Sequence, residues 1–105
     1  MAVALSEMAF TGDLGLDVDI GKVLVSESMR DDILLFGESN GRLLIEVPAD
    51  KTADFEKTMK DSPFSCIGVV KKEQHLTITK DGEKLLESEL STLIGAWKTP
   101  LEARR

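Results

Sequence analysis

One cysteine, one histidine, one tryptophan and no tyrosine occur in this chain of 105 residues. The lone Cys66 cannot close a disulfide within the chain, and its neighbours Phe64, Ile67 and Val69 predict a buried thiol in a strand, which fits a reducing compartment. His75 stands beside Gln74 with no second histidine or cysteine at ligand spacing, so a zinc site has no support. No serine or cysteine lies in a nucleophile motif, and both glycine-rich phosphate loops are missing. No apolar run approaches the ~20 residues that span a bilayer, and no basic segment leading into a hydrophobic stretch marks the N-terminus. The cytoplasm is therefore the expected location, with no membrane partner. Basic residues are also in deficit, 13 against 19 acids, giving a formal net charge of -6. Without a basic stripe interleaved with aromatics, nucleic-acid binding lacks its electrostatic footprint.

What is present reads as one domain. A hydrophobic content of 42% over this length can close a single core, and no repeat or linker divides the chain. Residues 1–10 repeat apolar positions at helical spacing (Ala2, Leu5, Met8, Ala9), with Gly12 as the expected stop. Residues 14–20 alternate, Leu14, Leu16, Val18 and Ile20 on one side, as a half-buried strand does. Asp13, Asp17 and Asp19 are read as solvated strand acids, because no glutamate stands where a calcium loop would close. Ser28 is a candidate cap for a helix with Asp31 and Asp32 in its first turn. Asp50 or Thr52 can cap a helix with Phe55 and Met59 on its inner face. Residues 64–71, apolar on both faces, predict an interior strand in which Gly68 lets another backbone approach. Leu76 and Ile78 define a further strand, joined by an Asp81-Gly82 hairpin turn to Leu85 and Leu86. Ser88 is the expected cap of a last helix whose Leu90, Leu93, Ile94 and Trp97 face the core.

The candidate site lies at a corner. Met29, Ile33 and Phe36 predict a helix running into Gly37, and residues 43–47 predict a strand leaving it. Gly37 and Gly41 permit backbone angles closed to other residues, while Glu38, Ser39, Asn40 and Arg42 gather an acid, a hydroxyl, an amide and a guanidinium on the turn. Such a corner can receive a polar ligand through Gly37, Glu38, Ser39 and Arg42. It can equally be an ordinary turn whose serine and asparagine bond their own backbone, with Arg42 a solvated charge. Composition and motif alone specify an α/β (α+β) domain and no chemistry.

Three stretches together resemble one family. They are residues 2–9 followed by 12–20, the corner Leu35-Phe36-Gly37-Glu38-Ser39 with Arg42, and Leu93 followed by Ala96-Trp97. In order and spacing they are similar to the C-terminal end of phosphoribosylformylglycinamidine synthase, small-type synthetase subunit, within the AIR synthase-related C-terminal domain. The resemblance implies a single mixed, largely antiparallel sheet of about four strands packed by about four helices. It implies an ATP-dependent ligase of purine biosynthesis, which converts formylglycinamide ribonucleotide to the amidine with glutamine-derived ammonia. A glutaminase subunit and a small third subunit are the implied partners, and ATP and magnesium are the family's cofactors. By the same resemblance the corner lines the substrate side of a cleft, with Glu38 and Ser39 as hydrogen-bonding groups and Arg42 as a positioning charge or structural pair. No catalytic residue carries over.

The sequence departs from the family at its start. The Asp-Gly-Gly turn expected before the first helix is missing, with Met1 standing near where it would end, and the ATP-binding domain is absent. The expectation is a partial domain over residues 1–105 that binds no cofactor alone and is not catalytically complete. Apolar surface left open by the missing parts would promote self-association. The alternative is a standalone ligand-binding or subunit-interaction domain that has kept the fold.

Overall fold

Leu16 and Val18 do what their alternation predicts: they are buried, at 8% and 3% exposure, on an inner strand of the sheet, with Ile20 at 1% just past its end, whereas Leu14, read on the same side, precedes the strand and is exposed. The structure is a computed structural model that describes residues 1–25, 27–37 and 42–99. Its elements run α1 (Ala2–Gly12), β1 (Gly15–Asp19), α2 (Asp31–Phe36), α3 (Thr52–Thr58), β2 (Gly68–Lys71), β3 (His75–Lys80), β4 (Glu83–Glu89) and α4 (Leu90–Lys98). The strands form one mixed sheet in the order β2-β1-β3-β4. The β1–β3 pair is parallel, with Val18 opposite Ile78, and the other two pairs are antiparallel. This is the mixed, largely antiparallel sheet of about four strands with about four helices that the family resemblance implies.

One face of the sheet is dry. Leu5 and Ala9 of α1, one helical turn apart, meet Leu16 and Val18 of β1, Leu76 and Ile78 of β3, and Leu90 of α4. Each fully buried aliphatic such as Leu76 or Ile78 contributes ~1.5–3 kcal/mol. The opposite face is charged. Asp17 and Lys71 pair across β1 and β2 at 2.9 Å, and Lys84 reaches Glu87 at 2.6 Å along β4. These contacts hold the Lys71 ammonium above its ordinary range and the Glu87 carboxyl below it.

The Asp81-Gly82 turn forms as expected: both residues have positive φ, at 52° and 90°, and they join β3 to β4. Asp19, read as a solvated acid, has a structural task. Its Oδ1 accepts the Gly21 N–H at 2.8 Å, starting the 3-10 turn Ile20–Lys22, and the Asp81 N–H at 3.2 Å. One carboxylate thus joins the end of β1 to the hairpin turn. Gly68 serves the close approach predicted for it, since a Cβ there would overlap the Asp17 carbonyl oxygen.

Several expectations are corrected. Residues 64–71 do not form an interior strand: β2 covers only Gly68–Lys71, lies at the sheet edge and is exposed throughout. Apolar residues on both faces are therefore no mark of burial here. Cys66, just before it, is exposed and directs its thiol at the Gly68 carbonyl. In α2 the core face is Leu34 and Leu35, whereas Ile33 and Phe36 are exposed, because six residues make too short a helix for the longer stripe to hold. Arg30, not Ser28, precedes that helix, and Glu89, not Ser88, precedes α4, neither with a side-chain cap. The α1 helix passes through Gly12 and stops at Asp13 in the left-handed region, with the Leu14 N–H folding back to the Ala9 carbonyl at 3.2 Å. Trp97 is 64% exposed and closes no core; its ring rests on Phe10 at 5.6 Å, fastening α4 to α1 from outside. Phe55 of α3 meets Phe64 edge-on at 5.8 Å in a small cluster apart from the main core.

Candidate functional site

The first helix has two useful faces because it is apolar nearly all round. Leu5 and Ala9 point into the core, and Met1, Met8 and Thr11 line an open cleft of about 730 Å³. Across that cleft stand Gly37, at the end of α2, and Arg42, Leu44 and Glu46 of the segment that follows the corner. The Met1 nitrogen donates to the Leu35 carbonyl at 3.0 Å and holds the start of α1 against the end of α2.

Of the four residues predicted for a ligand, Gly37 and Arg42 are brought to this cleft together, while Glu38 and Ser39 lie outside the described residues, as do Asn40 and Gly41. Gly37 has φ −70° and ψ 151°, angles open to any residue. Glycine is needed there for room instead, because a Cβ would overlap the Ile33 carbonyl oxygen, to which the Gly37 N–H donates at 2.7 Å. Arg42 donates from Nη2 to the Leu24 carbonyl at 3.2 Å. One of its five N–H groups is thus used to hold the segment in place, the one hydrogen bond of its side chain to a described residue.

Residues 43–47 do not form the predicted strand. A strand needs a partner to take its N–H and C=O groups, and among the described residues this segment finds none. Phe36 and Leu43 are 66% and 80% exposed, so the packed flanks on which the reading of the corner as a displayed site depends are not formed by these two residues. Leu34, Leu35 and the half-buried Leu44 attach it to the core in their place.

The chemistry of the cleft follows from its charges. Among the described lining residues one guanidinium, Arg42, faces two carboxylates, Glu7 and Glu46. These groups can serve amide and hydroxyl partners, the guanidinium donating and the carboxylates accepting. Among the described residues no group of three acids, cysteines or histidines is placed to hold a metal ion. The α1 side of the cleft was missed by sequence reasoning, although the doubled apolar stripe of Ala4 and Met8 beside Leu5 and Ala9 is visible in retrospect.

Comparison with known proteins gives consistent relatives. Residues 1–81 match the family model described as AIR synthase related protein, C-terminal domain. The phosphoribosylformylglycinamidine synthase subunit PurL of Deinococcus radiodurans is 33% identical over 103 residues, covering 97% of this chain and 13% of that protein. The corresponding subunit of Methanobrevibacter smithii is 38% identical over 71 residues, covering 68% of this chain and 10% of its own length. The chain therefore spans about an eighth or less of these curated relatives. In a solved structure, T. maritima PurL complexed with ATP, the same fold recurs with a TM-score of 0.75 at 21% identity, covering 87% of this chain and 16% of that one. Among the described residues no helix is long and apolar enough to cross a membrane. With the sheet order, the helix positions and a family match over residues 1–81 in agreement, this chain belongs to the AIR synthase related protein, C-terminal domain family.

Proposed function

We propose that this chain supplies the C-terminal-domain portion of a phosphoribosylformylglycinamidine synthase, an ATP-dependent ligase of purine biosynthesis, and is catalytically incomplete alone. The observation that carries this reading is the 33% identity to a named synthase subunit across 97% of the chain. In the reaction, ATP phosphorylates the amide oxygen of formylglycinamide ribonucleotide. Ammonia from glutamine then displaces the phosphate to leave the amidine, with ADP and phosphate released. The nucleotide and magnesium are assigned to an ATP-binding domain supplied by other sequence, in the same or another polypeptide, as the family resemblance implies. A glutaminase subunit and a small third subunit supply and channel the ammonia, and the complex works in the cytoplasm.

The cleft between α1 and the segment after the corner is the substrate side. Arg42 positions the segment and brings a guanidinium to the cleft, Gly37 keeps the turn close to α2, and Glu38 and Ser39 provide an acceptor and a hydroxyl. All four act in binding and orientation, and none transfers a proton or a phosphoryl group. The test compares the chain alone with a hybrid in which it replaces the matching segment of the Deinococcus radiodurans subunit. ATP-dependent amidine formation is expected from the hybrid and not from the chain. A folded hybrid without activity, or an active isolated chain, contradicts the proposal.

A further inference from the structure

The segment after the corner has the composition of a strand and lacks only a partner. Leu43, Ile45 and Val47 are strand formers with Leu44 between them, residues 43–47 adopt no regular secondary structure, and no described residue takes their backbone hydrogen bonds. Its outward side chains are bare: Leu43 is 80% exposed and Ile45 57%. The outer strands of the sheet are poorer templates. β2 is four residues long and ends in Lys71, while β4 carries Glu83, Lys84, Glu87 and Glu89, and such charges discourage edge pairing.

The order of residues in the segment also says what would pair with it. Arg42 and Glu46 stand symmetrically about Leu44. When two copies run antiparallel with Leu44 opposite Leu44, Arg42 of each lies opposite Glu46 of the other, and Leu43 opposite Ile45. A shift of two residues in one direction places Glu46 opposite Leu44 and breaks both charge pairs. The segment is therefore self-complementary in one register, as a two-fold interface requires. We propose that residues 42–46 form an antiparallel strand pair with the same residues of a second copy of this chain, two reciprocal Arg42–Glu46 pairs flanking the Leu44 pair on one face and the Leu43–Ile45 pairs lying on the other. The paired area falls short of the ~1,200 Å² typical of a stable interface, so the association is weak and concentration-dependent. This goes beyond the functional reading, and its test reads no catalysis, so either can fail alone.

Sedimentation of the chain over a concentration series, with hydrogen exchange at the amides of residues 43–47, tests it. Self-association with protection that rises with concentration is expected. Arg42→Glu and Glu46→Arg should each weaken association about tenfold by setting like charges opposite one another. Mixed together, the two single variants should form a heterodimer, because each then faces its opposite charge, and the double variant R42E/E46R should regain self-association. Loss of the Arg42 contact to Leu24 within one chain would not be repaired by mixing, so the mixture separates pairing between chains from a local defect. The proposal is overturned if the single variants associate as the parent does, if their mixture stays monomeric, or if the segment is protected equally at every concentration.

Discussion

Replacing Asp19 by alanine removes an acceptor that serves two parts of the chain at once. Its Oδ1 holds the Gly21 N–H at 2.8 Å and the Asp81 N–H at 3.2 Å, so the turn after β1 and the hairpin between β3 and β4 both lose a hydrogen bond. The first contact is a cap of the kind whose loss costs ~0.5–2 kcal/mol. The second is longer and near solvent, so water replaces much of it, and ~0.5 kcal/mol is a fair value. The sum is ~1–2.5 kcal/mol. With a urea dependence of ~1–3 kcal/mol per molar for small proteins, the unfolding midpoint should fall by roughly 0.3–2.5 M. Asp19→Asn keeps a side-chain carbonyl at the same place and should recover more than half of the loss. Faster exchange at the Gly21 and Asp81 amides in Asp19→Ala would localise the effect. Alanine matching the parent would refute the proposed tie, and asparagine as damaging as alanine would show that charge, rather than an acceptor in position, is what matters.

Further predictions concern the sheet. Gly68→Val drives a side chain into the Asp17 carbonyl and should cost ~1–3 kcal/mol in urea unfolding, with exchange protection lost first along β2; unchanged stability would mean that β2 is not seated as described. Lys84 keeps the Glu87 carboxyl below its ordinary value, so this pair adds stability above the unfolded-state value and loses it as pH falls through the lower folded one. Glu87→Gln should therefore flatten the acid side of the stability profile, and an unaltered profile would remove the pair from the account. Lys71, raised by Asp17, works in the opposite sense: its contribution is present below the unfolded value and fades as pH climbs through the higher folded one, a loss that Asp17→Asn should abolish.

Legibility of the fold tracked how local its causes are. The Asp81-Gly82 turn was readable because two adjacent residues with positive φ suffice to make it, and β1 because alternation alone fixes which face is buried. Residues 43–47 read as a strand for sound reasons of composition, yet a strand also depends on a partner, which no local pattern reveals. The same holds for β2, where Val69 and Val70 signal burial but the topology puts them at an edge. Trp97 occupies the right helical phase and still lies outside, because the core beneath α4 is already filled from Leu90. At the site, the polar corner was visible in the residues themselves, whereas the opposing wall of Met1, Met8 and Thr11 came from a helix remote in sequence from it. Family resemblance supplied the fold and the ligase reading, which neither periodicity nor motif could reach.

The central claim is that the cleft between α1 and Arg42 faces the ribonucleotide substrate and not the nucleotide. It is tested most directly by steady-state kinetics of the hybrid enzyme carrying Arg42→Ala. The account predicts a KM for formylglycinamide ribonucleotide raised by about tenfold, as losing one charged hydrogen-bonding group implies, with the KM for ATP unchanged. An unchanged KM for the ribonucleotide, or a rise confined to ATP, would contradict it.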